Sequence, residues 1–289
     1  MAGKTKKTAH TEPRSQLPGI LQGPAQHHWQ NYVQAAEAAG VRLPIDPGFR
    51  ARACRVFAIS DFVAGLCHRS PVLLADLLDS GDLLADSWPG VMGRRVVEQL
   101  AACANEPALH QLLRQLRQRE MLRIAWRDLA GWATLEETLR DLSELADACI
   151  RGALDRLSVW QAKETPAPLG VNRQPLPLIV LAMGKLGAHE LNFSSDIDLI
   201  FTYPDSAVTR RRNSLSAEQY FTRLGQSLIQ ALSKLDQDGF VYRVDMRLRP
   251  YGDAGALVCS FEAMEEYYQS QGREWERYAM IKARAVTGD

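Results

Sequence analysis

The sequence has few cysteines, no long apolar run and no excess of either charge. Its five cysteines form no C-x-x-C pair, which argues against a disulfide framework or a zinc site and favours reduced thiols in the cytoplasm. No segment reaches the roughly 18 consecutive apolar residues of a membrane-spanning helix. The 34 basic and 34 acidic side chains cancel, so the strongly positive surface typical of nucleic-acid binding is not expected. These absences predict a cytoplasmic protein with neither membrane nor nucleic acid as a partner.

The N-terminal segment is basic and polar. Lys4, Lys6, Lys7 and Arg14 are followed by no apolar core segment before Gly19, so this stretch lacks the pattern of a secretory signal. We expect residues 1–27 to form a disordered tail.

Residues 28–164 have the apolar spacing of consecutive helices, with leucines and tryptophans recurring at intervals of three and four. Helix starts are marked by a capping residue followed by proline at Asp46 and Ser70. Thr134 and Glu137 form a capping-box pattern before another apolar stretch. The segment therefore predicts a helical domain.

A proline-rich stretch follows the predicted helices. Residues 165–177 contain four prolines and no helical period, which predicts a linker. Beyond it, strand-like runs flank a helix that starts at a Ser216/Gln219 capping box, and helical spacing returns over 261–285. The expected fold class is α+β, with an N-terminal helical bundle followed by a mixed β-sheet with flanking helices over 178–289.

Two aspartates share one face of a predicted strand. Asp196 and Asp198 alternate with Ile197, Leu199 and Phe201, so the carboxylates lie on one side and the apolar side chains on the other. The two Cα atoms are expected about 6.6 Å apart, which lets the carboxylates converge on a hard divalent cation. A solvated surface pair is the alternative, although the flanking residues are strongly apolar.

A second predicted strand, 240–249, adds a third carboxylate. Asp245 shares its face with Arg243, Arg247 and Arg249. Carboxylates that hold two metal ions, together with arginines that bind phosphate oxygens, are typical of in-line displacement at phosphorus. A salt-bridged sheet face, with Asp245 paired to Arg243 and Arg247, is the alternative.

A glycine-containing loop precedes the aspartates. The residues MGKLG, from Met183 to Gly187, follow a short apolar run, where backbone amides can meet a phosphate. The loop matches neither the P-loop pattern nor the dinucleotide-binding fingerprint. Gly184-Lys185 followed by D-x-D resembles the nucleotidyltransferase superfamily signature, with Lys185 at a position where Ser or Gly is usual.

Longer segments of the chain resemble one family. AMGKLGAHELNFSSDIDLIF (182–201), FVYRVDMRLRPYGDAGALVCS (240–260) and GREWERYAMIKARAVTGD (272–289) look like the glutamine synthetase adenylyltransferase family, and REMLRIAWRDLAG (119–131) is similar to it as well. This family adds AMP to a tyrosine of glutamine synthetase and removes it. The resemblance implies a nucleotidyltransferase-type sheet and an enzyme.

The motif wording resembles one half of that family. NFSSDIDLIF and VDMRLRP look like the adenylyl-removing half, whereas the other half typically reads closer to GSDLDLVF and VDTRLRP. The implied reaction is phosphorolysis of adenylylated glutamine synthetase, in which phosphate attacks adenylyl-tyrosine and releases ADP. The implied metal is Mg²⁺ or Mn²⁺, and the nitrogen-signalling PII protein is an implied partner. By motif position the implied metal ligands are Asp196, Asp198 and Asp245, and the implied nucleotide or phosphate contacts are Gly184, Lys185, Ser195, Arg247 and Arg249.

Other functions stay open at this point. Forward, ATP-dependent adenylylation of glutamine synthetase is the nearest alternative. A catalytically silent nucleotide-sensing module would lose a metal carboxylate, and all three are present. A nucleic-acid polymerase-like transferase is disfavoured by the neutral charge. Because the family has two nucleotidyltransferase domains and this sequence carries one, ending at Gly288-Asp289 inside a family motif, we expect a fragment of a longer protein.

Overall fold

The computed structural model describes residues 17–44, 46–205 and 215–288, and contacts divide them into two compact units. The first contains the described residues up to Asp86 together with Met121–Thr138. The second contains Ser87–Glu120 and the described residues from Leu139 onward. Loop 165–177, predicted to be a linker, lies within the second unit, because the long helix before it packs with the sheet that follows.

The described chain up to residue 164 is helical, as the sequence predicts. The helices are α1 (Gly19–Ala38), α2 (Pro47–Ile59), α3 (Asp61–Arg69), α4 (Pro71–Asp79), α5 (Val91–Ala101), α6 (Glu106–Leu129) and α7 (Leu135–Glu164). Helix α1 begins at Gly19 and buries Ala25, so residues 19–27 are helical although they were expected to belong to a disordered tail. Residues 1–16 of that predicted tail lie outside the described residues. No helix in the described ranges is long and apolar enough to cross a membrane.

Capping chemistry sets the starts of these helices. The Asp46 carboxylate accepts from the amides two and three residues ahead, both at 3.0 Å. Ser70 is the N-cap of α4, with Pro71 in the first helical position. The Thr134 hydroxyl accepts from the Glu137 amide at 3.2 Å. The predicted helix starts are therefore confirmed. Side-chain oxygens of Asp46 and Thr134 accept from first-turn amides, whereas Ser70 makes no side-chain cap hydrogen bond and is followed by a proline that has no amide to satisfy.

Aromatic rings fill the core of the first unit. Trp126 is fully buried and stacks on Phe49, with ring centroids 5.9 Å apart. Phe57 meets the same indole edge-on at 5.8 Å and contacts Tyr32 at 5.7 Å. These offset and edge-to-face arrangements are the favoured geometries of aromatic pairs, and they assign Trp126 to core packing.

The second unit contains a mixed five-stranded sheet. Its strands are β1 (Ile179–Ala182), β2 (Ile197–Tyr203), β3 (Val244–Asp245), β4 (Val258–Ser260) and β5 (Arg284–Thr287). Strand β2 is central, with β1 antiparallel on one side. On its other side β3 pairs in parallel with the start of β2, and β4 pairs in parallel with its end. Strand β5 lies antiparallel to the outer edge of β1.

Helices cover both faces of β2. The remaining helices are α8 (Gly184–Gly187), α9 (Ala217–Ser233), α10 (Phe261–Ser270) and α11 (Glu274–Ala279). On the face of Phe201, α9 packs so closely that a Cβ added at Gly225 would lie 2.8 Å from the phenyl ring. On the opposite face Ile200 packs with Met264 of α10. Ile197 and every residue from Leu199 to Tyr203 are therefore buried, and Asp198 is the half-buried exception within this strand.

Two sequence-based expectations in this unit are wrong in extent. The strand predicted over 240–249 is only Val244–Asp245, because the chain turns after Asp245. The helix predicted over 261–285 is divided into α10, α11 and a 3₁₀ turn, and its end is strand β5. The pairing of β5 with β1 joins segments about a hundred residues apart, which local spacing does not reveal. The Ser216/Gln219 capping box is confirmed in both of its hydrogen bonds.

Candidate active site

Two of the three predicted carboxylates lie side by side on adjacent strands. The parallel pairing of β2 and β3 makes Asp198 and Asp245 direct cross-strand partners. The Ile197 amide donates to the Arg243 carbonyl at 3.0 Å and closes this short ladder. Asp196 immediately precedes β2 and is exposed. Like charges placed opposite each other destabilise a sheet. The Asp198–Asp245 register therefore costs stability, and the packing of the sheet does not explain why two carboxylates occupy these positions.

The environments of Asp198 and Asp245 shift their pKa values in opposite directions. Burial raises the pKa of Asp198, and the neighbouring charges of Asp245 and Asp196 raise it further. Hydrogen bonds from Arg247 lower the pKa of Asp245. A carboxylate that is crowded by other carboxylates favours a positively charged ligand, because a cation relieves the repulsion.

Arginines bind two of the carboxylates. Arg243 Nε donates to Asp196 Oδ1 at 2.5 Å. Arg247 binds Asp245 through its Nε at 2.8 Å, its Nη2 at 2.5 Å and its backbone amide at 2.9 Å. The salt-bridged alternative predicted that Asp245 pairs with both Arg243 and Arg247. The Asp245–Arg247 pair is present, whereas Arg243 pairs with Asp196. The sequence reasoning did not place Arg243 in the site, although strand alternation had put it on the face of Asp245.

Arg249 lies beside the carboxylates but turns away from them. Its Nη1 donates to the Met246 carbonyl at 2.8 Å and is 3.3 Å from Asp253 Oδ1. Its Nε is buried and has no hydrogen-bond partner in the described part of the chain. A buried guanidinium N–H without a partner has an unmet need for an acceptor, which a phosphate oxygen satisfies well.

The glycine loop lies against Asp198. The Met183 amide donates to the Asp198 carbonyl at 2.9 Å, and Gly184 follows with a positive φ of 55°. A Cβ at Gly184 would lie 3.1 Å from Asp198 Oδ2, so the glycine allows the backbone to approach the carboxylate. Lys185 Nζ lies 3.5 Å from Ser195 Oγ. The fold thus brings Gly184, Lys185 and Ser195 to the same end of β1 and β2 as the aspartates.

The donor chemistry of this cluster suits a hard cation. Asp196, Asp198 and Asp245 supply oxygen ligands of the kind that Mg²⁺ and Mn²⁺ prefer. Among the described residues, however, no three His, Cys, Asp or Glu side chains converge as a ready metal site. Two of these carboxylates are instead bound by arginines, Asp196 by Arg243 and Asp245 by Arg247.

A mixed sheet with flanking helices and an aspartate cluster beside a glycine loop makes this an α+β protein with a nucleotidyltransferase-like fold. A family model described as glutamate-ammonia ligase adenylyltransferase matches residues 50–289. The chain belongs to this family, as its motifs predict.

Curated relatives agree with this assignment. A protein from Nitrosococcus oceani is 50% identical over 279 residues, which cover 94% of this chain and 28% of the relative. One from Pseudomonas putida is 49% identical over 95% of this chain and 29% of the relative, and one from Pseudomonas aeruginosa is 53% identical over 81% and 24%. Each is described as a bifunctional glutamine synthetase adenylyltransferase/adenylyl-removing enzyme. The chain therefore spans less than a third of the length of these relatives.

Proposed function

We propose that this chain is the adenylyl-removing domain of a glutamine synthetase adenylyltransferase, and that it removes AMP from glutamine synthetase by phosphorolysis. The observation that carries the proposal is the cross-strand register of Asp198 and Asp245. Two like charges opposite each other cost stability, so we expect such a pair where the carboxylates have a functional role. In proteins with a nucleotidyltransferase-like fold, that role is the transfer of a nucleotidyl group. The direction of the reaction comes from NFSSDIDLIF and VDMRLRP, which resemble the adenylyl-removing half.

The proposed reaction forms one bond to phosphorus and breaks another. An oxygen of inorganic phosphate attacks the phosphorus of adenylyl-tyrosine, and the bond from that phosphorus to the tyrosine oxygen breaks. The products are ADP and free tyrosine, whose oxygen takes up the proton of the attacking hydrogen phosphate. Bound Mg²⁺ or Mn²⁺ neutralises charge on the phosphate oxygens and on the leaving tyrosine oxygen.

In this reaction the aspartates and the loop have separate roles. Asp196, Asp198 and Asp245 would hold the metal through their carboxylate oxygens. The backbone of Gly184, which lies against Asp198, is assigned to contact with the AMP phosphate by its motif position. Lys185 and Ser195, which face each other, contact AMP or phosphate oxygens.

The arginines bind the attacking phosphate. The exposure of the Arg247 side chain, 74%, supports this role for Arg247, whereas the Nε of Arg249 is buried and the role of Arg249 rests on its motif position. The planar fork of Arg247, which binds Asp245 in the structure, matches the geometry of phosphate oxygens.

The test uses two parallel reactions with this 289-residue chain. One contains adenylylated glutamine synthetase, Mg²⁺ and phosphate, and the other contains unmodified glutamine synthetase, Mg²⁺ and ATP. We expect phosphate-dependent formation of ADP and loss of AMP from the tyrosine in the first reaction alone. AMP transfer in the second reaction alone would show forward adenylylation, and activity in neither would favour a silent nucleotide-sensing module.

Two variants assign the activity to this site. Asp196→Asn is expected to lower the rate by at least about 10²-fold, because it removes a charged metal ligand. Asp205→Asn is the matched control, since Asp205 is exposed and follows β2 at its other end. Equal activity of both variants at saturating metal would contradict the assignment of the activity to this site.

The nitrogen-signalling PII protein stays a predicted regulator from the family resemblance.

A further inference from the structure

One face of helix α6 contacts the segment that leads into β3. Arg114, Arg117 and Gln118 are spaced at i, i+3 and i+4, which places them on the same side of the helix. All three contact residues 234–242, between α9 and β3. None of them has a part in the reaction described above, so their concentration on this segment requires a separate explanation.

Arg114 makes the most extensive of these contacts. Its side chain is 1% exposed, and a buried guanidinium is stable only where acceptors surround it. Its Nε donates to the Gly239 carbonyl at 2.8 Å and lies 3.0 Å from Asp236 Oδ2, while its Nη2 donates to the Lys234 carbonyl. Its Nη1 donates to the His110 carbonyl of its own helix at 2.7 Å. One side chain therefore joins both ends of the turn after α9 to α6.

The two neighbouring residues extend this contact toward β3. Gln118 Nε2 donates to the Asp238 carbonyl at 3.0 Å. The Arg117 guanidinium lies 5.7 Å from the ring centre of Phe240 and 5.5 Å from that of Tyr242, within the range of a cation–π contact. Together, the three side chains of α6 form a clamp on residues 234–242. Tyr242 is only three residues before Asp245, so this clamp reaches almost to the Asp245 carboxylate.

The length of β3 explains why such a clamp matters. Only Val244 and Asp245 pair with β2, so the ladder itself contributes little to the choice of register. A slip of one residue would turn Asp245 to the opposite face of the sheet and away from Asp198. The register must therefore be fixed by what holds the chain on either side of β3.

We propose that Arg114 is a positioning residue that anchors the turn after α9 and thereby keeps Asp245 in register with Asp198. Its catalytic consequence rests on the proposed function, whereas its structural consequence does not. The two are separated by measuring local backbone protection and kinetics on the same variants.

The experiment compares Arg114→Met and Arg114→Lys with wild type. Arg156→Met is the control, because Arg156 of α7 also donates to a backbone carbonyl, that of Cys103, at 2.8 Å and stacks on an aromatic ring. Urea unfolding reports global stability, and hydrogen exchange reports the amides of Val241 and Tyr242, both bonded to the Leu232 carbonyl at 2.9 Å.

For Arg114→Met we expect these amides to exchange at least about 10-fold faster while the protection of β1 is unchanged, because local opening is uncoupled from global unfolding. The kcat for phosphorolysis should fall about 10-fold or more, with the KM for phosphate changed less than about threefold, since a displaced ligand impairs the reacting geometry. Arg114→Lys retains the charge but replaces three donor nitrogens with one, and should lie between wild type and Arg114→Met. Arg156→Met should leave both the two amides and kcat unchanged.

Unchanged exchange in Arg114→Met would overturn the proposal. Faster exchange with unchanged kcat would also overturn it, because the clamp would then be structural only. An equal loss of kcat in Arg156→Met would assign the effect to general destabilisation. If wild type has no phosphorolysis activity, the proposed function fails, and the exchange at Val241 and Tyr242 alone then decides whether Arg114 fixes the segment.

Discussion

Asp198→Asn is expected to remove most of the activity while making the folded protein slightly more stable. Asp198 is half-buried and directly opposite Asp245, and burial and two neighbouring carboxylates raise its pKa. At neutral pH its charge is therefore a cost to the folded state. Asparagine has the same shape and no charge, so the substitution removes the repulsion without opening a cavity.

The size of the gain follows from the geometry. Cross-strand pairs contribute about 0.2–1 kcal/mol, and like charges act against folding. Because the carboxylate is only half-buried, solvent screens the repulsion, and we expect a gain of about 0.5 kcal/mol in the free energy of unfolding. The activity should fall by at least about 10²-fold, because the neutral amide is a poor ligand for a cation that stabilises charge in the transition state.

The pH dependence gives a second signature. A carboxyl whose pKa is higher in the folded than in the unfolded protein lowers the stability as pH rises from the ordinary aspartate pKa through the raised value. The gain in stability of Asp198→Asn over wild type should therefore increase as pH rises through this range. Asp245 acts in the opposite sense, because its lowered pKa contributes stability above the ordinary pKa that is lost as pH falls through the folded value. Measurement of Asp245→Asn separates its contribution.

Urea unfolding between about pH 4 and pH 7, where aspartates with ordinary and raised pKa values titrate, measures the stability difference, and phosphate-dependent release of AMP measures the activity. Asp205→Asn serves as the control and should change stability by less than about 0.5 kcal/mol. A less stable Asp198→Asn protein at neutral pH would refute the electrostatic reasoning, and full activity would refute the role of Asp198 as a ligand.

Three further substitutions test the local structure. Gly187→Ala places a Cβ 1.8 Å from the Lys282 carbonyl oxygen, so we expect a loss of about 3 kcal/mol in urea unfolding, and a loss below 1 kcal/mol would contradict the close approach. Ser216→Ala removes the N-cap of α9 and should cost about 1 kcal/mol in thermal unfolding, with no change in the Asp198 site. Gly184→Ala combines a positive φ with a Cβ 3.1 Å from an Asp198 oxygen, and should lower kcat at least about 10-fold with the circular dichroism spectrum unchanged, whereas unchanged kcat would argue against the role of this loop.

Local patterns in the sequence were sufficient for much of this protein. Alternation predicts that Asp198 and its neighbours Ile197 and Leu199 lie on opposite faces of a strand, because successive side chains point to opposite sides. In β2 the two apolar residues are buried and Asp198 is half-buried, whereas Asp196, predicted on the same strand, lies just before it. The capping boxes predict where helices begin, because caps satisfy backbone donors within four residues. The order of several long motifs identified the family. Each of these signals depends on residues that are close together in the chain.

The tertiary structure decided which of those local elements meet. The sequence predicted Asp198 and Asp245 on two strands but not how those strands align. Asp245 lies beside Asp198 only because β3 pairs with β2 in one register. The same pairing places Arg243 where it binds Asp196. Residues 284 and 285 end the segment for which helical spacing was predicted, yet they begin strand β5, because β1 offers an open edge. Which strands pair, and in which register, depends on contacts between segments that are distant in the chain. Local periodicity does not reveal which distant segments come together. Sequence therefore determined the chemistry of the site, and tertiary pairing determined its geometry.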